Sequence, residues 1–339
     1  AFRLVRAIDG QIYEMERFDD YFGEPAHLDG IQFFPIGGEI ERSVALQGGR
    51  IDACFFFASE GVLSTLRDFE GIEVIRRPTP TFINLIPNVT QVPFDNPLVR
   101  EAMSLAIDRS AFIDTVGPLA GAFYHSFGLM MPGADDHALS ADEMRSFPGY
   151  DTLPGIGGDI EANRARAREL LAEAGVPEGF NVALLARGDI PAFRDSSINV
   201  AAQLNLIGFD CEVDLRDAAA FYAAENSRDF QLVIHSIAVS GSLPDQILGE
   251  GYTSFGGRNY GGWAGEELDE LYRAQSREPD PEIRAEKLRE FQRAFLTTNY
   301  HINLAWVGYG AATREHVKGW AAMSDIYSNM QLGNIWLDG

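Results

Sequence analysis

Six histidines, two cysteines and two lysines are the side chains of this sequence most suited to chemistry, and their spacing sets most enzyme classes aside. His27, His125, His137, His235, His301 and His316 are scattered. No two stand four apart on a helix, and there is no HExxH or Cys/His cluster of the kind that holds zinc. Asp135-Asp136-His137 offers ligands for a cation but stands in a polar stretch and reads as a solvated turn. Cys54 and Cys211 lie in the apolar runs IDACFFF and FDCEVDL. They read as buried free thiols; a disulfide between them requires their strands to be neighbours. Neither Lys287 nor Lys318 has a glycine-rich loop beside it, which disfavours a phosphate-binding or Schiff-base lysine. Ala238-Val239-Ser240-Gly241-Ser242 approaches a serine nucleophile elbow. However, Ala238 and Ser242 occupy positions where glycine must permit the strained turn, and no histidine–carboxylate partner is assignable. Phe255–Trp263 (FGGRNYGGW) is a glycine-rich aromatic loop without the dinucleotide-binding spacing. It reads either as a flexible turn or as a cleft wall in which glycines let a ligand approach the backbone. The pairs Asp19-Asp20 and Glu266-Glu267 read as solvated faces and helix starts. Asn88-Val89-Thr90 matches a glycosylation acceptor triplet.

The elements that position these residues follow from pattern. A length of 339 residues, 46% of them hydrophobic, fits two domains. No apolar run approaches the ~18 residues needed to span a bilayer. A formal charge of −23 disfavours nucleic acid and anionic membrane surfaces. Ala1-Phe2-Arg3 opens directly in a strand-like run with no leader pattern, as in a mature, cytoplasmic or trimmed chain. Asp9-Gly10 marks a hairpin. Strands and short helices alternate to Ile86, with Val74–Arg77 and Thr81–Ile86 read as two strands. Asn96 and Pro97 start a helix whose Val99, Ala102, Met103 and Ala106 share one face. Residues 117–158, rich in Gly, Pro, Asp and Ser, read as a long loop. Asp159 caps a helix that Gly175 and Pro177 stop. Residues 180–238 then read β-α-β-α-β with short joins, the pattern of a parallel sheet with right-handed crossovers. In such sheets ligands bind beyond the carboxyl ends of the strands, which points to Val239–Asp245.

Pro93–Arg109 (PFDNPLVREAMSLAIDR) resembles the signature of the family 5 extracellular solute-binding proteins, the peptide, dipeptide and nickel-type receptors of ABC importers. Pro93, Phe94 and Asp95 match its turn; Val99, Arg100 and Ala102 match its helix; Ala106, Ile107, Asp108 and Arg109 match its end. ERFDDYFG, VALQGGRIDA, ARARELLAEAGVPEGF and GGWAGEELDELYRAQ match further stretches in family order. The resemblance implies a two-lobed α/β periplasmic-binding-protein-like fold of class II, cluster C type. Residues 1–87 and 308–339 would form an incomplete lobe I, lacking the family's leading segment. Residues 88–307 would form lobe II, a three-layer α/β domain with a mostly parallel sheet.

The resemblance further implies a periplasmic importer component that closes around an oligopeptide or related small solute and passes it to permease subunits. It would act as a monomer, without nucleic acid, cofactor, metal or catalytic residue. Combined with the strand ends, it nominates Phe82, Tyr124, Ser240, Ser242, Asp245, Arg258, Asn259, Tyr260 and Trp306 as solute contacts. Peptide-binding members place an aspartate after the third strand of lobe II to pair with the ligand's α-ammonium. The corresponding Ser240 cannot make that charge-assisted bond. The alternatives are an α/β hydrolase-type enzyme working through Ser240 and a sensory domain that reuses the fold.

Overall fold

A computed structural model describes residues 1–56, 60–120, 122–124, 129–130, 135–238, 243–320 and 332–338. The chain divides into two compact units: unit 1 is Ala1–Arg77 with Gly308–Gly339, and unit 2 is Pro78–Val307. The sequence places the first division ten residues later, after residue 87. The reason for the difference is a single 16-residue strand, Ile72–Pro87, which runs straight through Pro78 and Pro80.

In unit 1, β1 (Phe2–Ile8) and β2 (Ile12–Arg17) form the hairpin at Asp9-Gly10, where Gly10 takes φ +68°. β3 (Gly30–Phe33) pairs antiparallel with β2. α1 (Glu39–Gln47), β4 (Ala53–Phe56), α2 (Glu60–Arg67) and β5 (Ile72–Pro87) follow. Leu46, Cys54, Leu63, Leu66 and Ala312 form a small core. A cavity of about 940 Å³, lined by Phe33, Phe34, Pro35, Phe55, Trp320 and Leu332 among others, lies within this unit.

Unit 2 opens on α3 (Pro97–Ala106), whose Asn96 side chain accepts from the Leu98 N–H while Pro97 occupies the first helical turn. Val99, Ala102, Met103 and Ala106 are buried, as their spacing requires. α4 (Arg109–Ala120) and β6 (Ala122–Tyr124) come next. The glycine- and proline-rich stretch read as loop carries more structure than expected. α5 (Ala141–Arg145) has a full Ser140–Glu143 capping box, and two short 3₁₀ turns lie at Asp135–His137 and Tyr150–Thr152. At the first of these turns the Asp136 and His137 carbonyls accept from Arg289 and Gln292. α6 (Ile160–Glu173), capped by Asp159, packs on α3.

β7 (Phe180–Arg187), α7 (Pro191–Asn205), β8 (Phe209–Arg216), α8 (Ala218–Ser227) and β9 (Leu232–Ala238) build a parallel trio in the order β9-β7-β8. β5 adds to β9 antiparallel, from Thr81 opposite Ala238 to Pro87 opposite Leu232, so the sheet is mixed. α9 (Pro244–Gly251), α10 (Glu266–Ser276) and α11 (Pro281–Thr298) lead to β10 (Ile302–Arg314). Past Val307 that strand belongs to unit 1, where it pairs with β4 and is followed by the β11 (Val317–Lys318) and β12 (Trp336–Leu337) pair. Cys54 and Cys211 therefore sit in different units. Both are free and buried, and burial pushes each thiol up to about 12.

Two arginines of the Pro93–Arg109 run hold unit 2 together from inside. Arg109 is fully buried with no carboxylate in its hydrogen bonds. Its guanidinium donates to the carbonyls of Ser104, Gly149 and Asn303 at 3.2, 2.8 and 3.0 Å and lies 3.9 Å over the Tyr150 ring. Arg100 donates to the carbonyls of Phe94, Asp95 and Thr298 and lies over Tyr300. Asn88 is likewise structural: its amide donates to Arg228 and Phe230 and accepts from Thr90, and it has no exposure at all. The glycosylation triplet is thereby closed as a modification site.

Two predictions follow from this interior. Arg109→Leu leaves three buried carbonyls short of a donor, so unfolding free energy should drop by about 3 kcal/mol or more in urea denaturation. His301 is 1% exposed, and burial alone lowers its pKa from the ordinary 6.5 to about 3. Above about pH 7 the ring is neutral folded and unfolded, so it is silent there. As pH falls from 6.5 toward 3, the unfolded chain gains a proton that the native chain refuses, and native stability declines. His301→Phe should lose about 2 kcal/mol less than wild type between pH 7 and 4.5, measured from urea midpoints.

Candidate functional site

Every nominated residue belongs to unit 2. Ser240 and Ser242 lie outside the described residues, as does the turn of the near-match to a nucleophile elbow. Tyr124 is placed only as part of β6. The other six fall into three groups.

Phe82 on β5 and Trp306 on β10 come together, their ring centroids 4.3 Å apart at 42°. Both are buried, at 4% and 1%, within the main core of the unit. The Trp306 indole N–H finds no acceptor there, which leaves a buried donor open on this pair. Asp245 stands in the first turn of α9, where a carboxylate suits the helix dipole. Its two oxygens accept from Gln275 of α10 at 2.6 Å and Arg284 of α11 at 2.5 Å. It therefore ties three helices together.

The third group is the glycine-rich loop. Asn259 is buried and uses its whole amide within it. Nδ2 donates to the Ser254 and Trp263 carbonyls at 3.1 and 2.7 Å, and Oδ1 accepts from the Trp263 N–H at 3.2 Å. Two glycines are obligatory. A Cβ on Gly261 would fall 2.6 Å from the Pro87 carbonyl oxygen, and Gly262 takes φ +73°. The loop is also fixed from outside, since Arg228 donates to the carbonyls of Asn259 and Tyr260, both at 3.2 Å. Arg258 and Tyr260 are then presented as a pair, guanidinium to phenol at 3.4 Å. Arg258 has one further ionic contact, to Glu250, also at 3.4 Å. Burial raises the Tyr260 pKa, so the phenol stays protonated and can donate.

Behind Tyr260 lies a constellation that the sequence does not reveal. His235 on β9 faces Glu225 on α8, Nδ1 to Oε1 at 2.5 Å, with 6% and 1% of their side chains exposed. The contact is close but lacks the alignment of a straight hydrogen bond. Phe193, Phe221, Tyr222 and Tyr260 surround the imidazole at centroid distances of 5.1 to 6.0 Å. Glu225 sits in FYAAENSRD, where its neighbours are those of a solvated helix end, and nothing local marks it as buried. Among the described residues no three His, Cys, Asp or Glu side chains are grouped to hold a metal, and no helix is long and apolar enough to cross a membrane.

Comparison with known proteins places this architecture. Residues 1–259 match the family model described as bacterial extracellular solute-binding proteins, family 5 middle region. The glutathione-binding protein GsiB of Escherichia coli K12 is 30% identical over 191 residues, which is 56% of this chain and 33% of that protein. GsiB of Salmonella paratyphi A is 30% identical over 207 residues, 60% of this chain and 36% of that protein. The chain thus matches about a third of the length of these relatives. Solved structures cover all of it. AgaA from A. tumefaciens R10 with agropinic acid gives a TM-score of 0.83 at 22% identity, aligned over 67% of its own chain. DppA from Helicobacter pylori with the peptide STSA gives 0.81 at 19% over 62% of its chain. The EDTA-binding protein EppA gives 0.83 at 16% over 64%. These likenesses establish the α/β periplasmic-binding-protein fold, and the family match over three quarters of the sequence settles membership: the chain belongs to the family 5 bacterial extracellular solute-binding proteins.

Proposed function

We propose that the chain is the solute-recognising part of an ABC importer's substrate-binding component. It works in the periplasm, takes up an oligopeptide or related small solute and hands it to a membrane permease without making or breaking a bond. The family match over residues 1–259 carries this proposal. The relatives are named for glutathione binding, and solved structures of the same fold are named for a peptide, for agropinic acid and for EDTA.

The geometry narrows the solute. Asp245 is committed to Gln275 and Arg284, and Ser240 is neutral, so neither supplies a free carboxylate for a ligand's ammonium group. Arg258 is different. It is half-buried, its two ionic and phenolic contacts are both at a long 3.4 Å, and Tyr260 stands beside it. A guanidinium so weakly engaged suits an anionic group on the solute. We therefore take the solute to be peptide-like and to carry a carboxylate that Arg258 and Tyr260 receive, with Phe82, Tyr124 and Trp306 as apolar contacts, Ser240 and Ser242 as neutral hydrogen-bonding groups and Asn259 as the residue that shapes the loop.

Titration calorimetry of the full-length protein tests this, with reduced glutathione, di- to pentapeptides and their C-terminally amidated forms as probes. Binding of a carboxylate-bearing member is expected. Arg258→Gln should weaken it by at least tenfold, as loss of a charge-assisted hydrogen bond of about 1.5–3 kcal/mol implies, while leaving the amidated form unchanged. Conversion of any probe to product, or failure of the whole panel to bind, would sink the proposal.

A further inference from the structure

We infer that Glu225 and His235 are a positioning pair for Tyr260, and through it for Arg258; this rests on the assignment of those two residues to solute contact. A buried polar pair seldom stabilises a fold. Taking a carboxyl group and an imidazole out of water costs free energy that a poorly aligned contact repays only in part, and apolar residues of similar volume commonly do as well or better. Here the pair sits among Phe193, Phe221, Tyr222 and Tyr260, beside the apolar residues Ile86, Leu185 and Val233. An entirely apolar filling would complete that surface. What the pair adds is direction. Glu225 against Nδ1 and the rings of Phe193, Phe221 and Tyr222 confine the imidazole, and an imidazole so confined 5.1 Å from Tyr260 at 42° limits the settings open to the phenol ring.

The rest of Tyr260 is already held. Its carbonyl accepts from Arg228, itself the C-cap residue of α8 with φ 56°. Gly261 is pressed on Pro87. Only the ring's rotation remains to be set, and the ring carries the oxygen that meets Arg258 at 3.4 Å. The other charged group on the cluster, Arg187, is occupied with Tyr222 and Asp189. Glu225 and Arg228, one turn apart on α8, thus fix the side chain and the backbone of the same tyrosine. Neither is assigned a contact with solute.

The experiment uses the full-length protein with 3-fluorotyrosine at position 260 and compares wild type, Glu225→Gln and the apolar double variant Glu225→Leu with His235→Leu. Fluorine NMR of the solute-free protein is the first readout. One sharp line is expected in wild type. In the double variant the line should broaden or split, although the melting temperature is kept within a few degrees, and Glu225→Gln should lie between. An unchanged line in a folded double variant overturns the inference. If the double variant does not fold, Glu225→Gln alone decides: a changed line supports the pair's role and an unchanged one rejects it. The second readout is affinity for reduced glutathione by calorimetry. At least fivefold weaker binding by the variants supports positioning for the solute, and equal binding rejects it. If wild type does not bind glutathione, the proposed solute class fails on that probe, while the fluorine line still decides whether the pair positions Tyr260.

Discussion

Unit 2 depends on a guanidinium with nothing negative to meet. Arg109 is wholly buried, and its hydrogen bonds are made to three carbonyl oxygens and the Ser104 hydroxyl. A lone charge in an apolar interior is prohibitively expensive. A guanidinium escapes that penalty in part because its charge is spread over five N–H donors in a plane, each of which can meet a carbonyl dipole while a ring faces the plane. Burial still pulls its pKa below the ordinary arginine range, the direction expected where the charged form is desolvated. The consequence is spatial. The bonds reach the end of α3, the turn at Gly149 and the start of β10, segments that no local interaction would bring together. Gly149 cannot be replaced without displacing them, since a Cβ there would lie 2.1 Å from the Ser104 oxygen.

Once β10 is fixed in this way, the sheet carries the order inward. β10, β5 and β9 are successive neighbours, so the setting of Asn303 bears on Phe82 and Trp306 and then on His235. Asn84 lies opposite His235 in the register, and both are polar in the middle of an otherwise apolar strip flanked by the Ile86–Val233 and Phe82–Ile237 pairs. Paired residues of antiparallel strands point to the same face. His235 from this strip meets Glu225 of α8 and the Tyr260 ring of the glycine-rich loop, while the Asn84 amide donates to the Phe82 carbonyl.

Much of this was legible in the sequence, and the part that was not has a common cause. The β-α-β-α-β run, the helix caps at Asn96 and Asp159 and the hairpin at Asp9-Gly10 are local signals, and local signals are what a sequence displays. Arg100 and Arg109 could be read as scaffold, but not what they bind, because Thr298 and Asn303 lie about two hundred residues further on. Glu225 and His235 are close in sequence, but their meeting depends on how α8 packs against β9, which local pattern does not display. The single strand Ile72–Pro87 was misread because its prolines look like breaks. Proline forbids only its own N–H from pairing, and a strand tolerates that loss where the N–H would point away from a neighbour. Asn259, nominated as a solute contact for its type and place, spends its amide on bonds inside the loop, which pattern alone does not show.

The described cores of the two units are built differently. In unit 2 the aromatic residues Tyr252, Trp263, Phe291 and Phe295 anchor a continuous core. Among the described residues of unit 1, Leu46, Cys54, Leu63, Leu66 and Ala312 form a cluster on which Ile51, Val62, Ile72 and Val74 pack, the three-stranded sheet β1–β3 buries no residue fully, and Ile40 and Val44 project from one face of α1 at 68% and 60% exposure. The strands that pass between the units, β5 and β10, are anchored at one end by Arg109, Tyr150 and the β9 register, and at the other by the short β4 pairing from Ala53 to Phe56. Within unit 2 the loop that carries Arg258 and Tyr260 is tied by the Asn259 amide from inside and by Arg228 from outside.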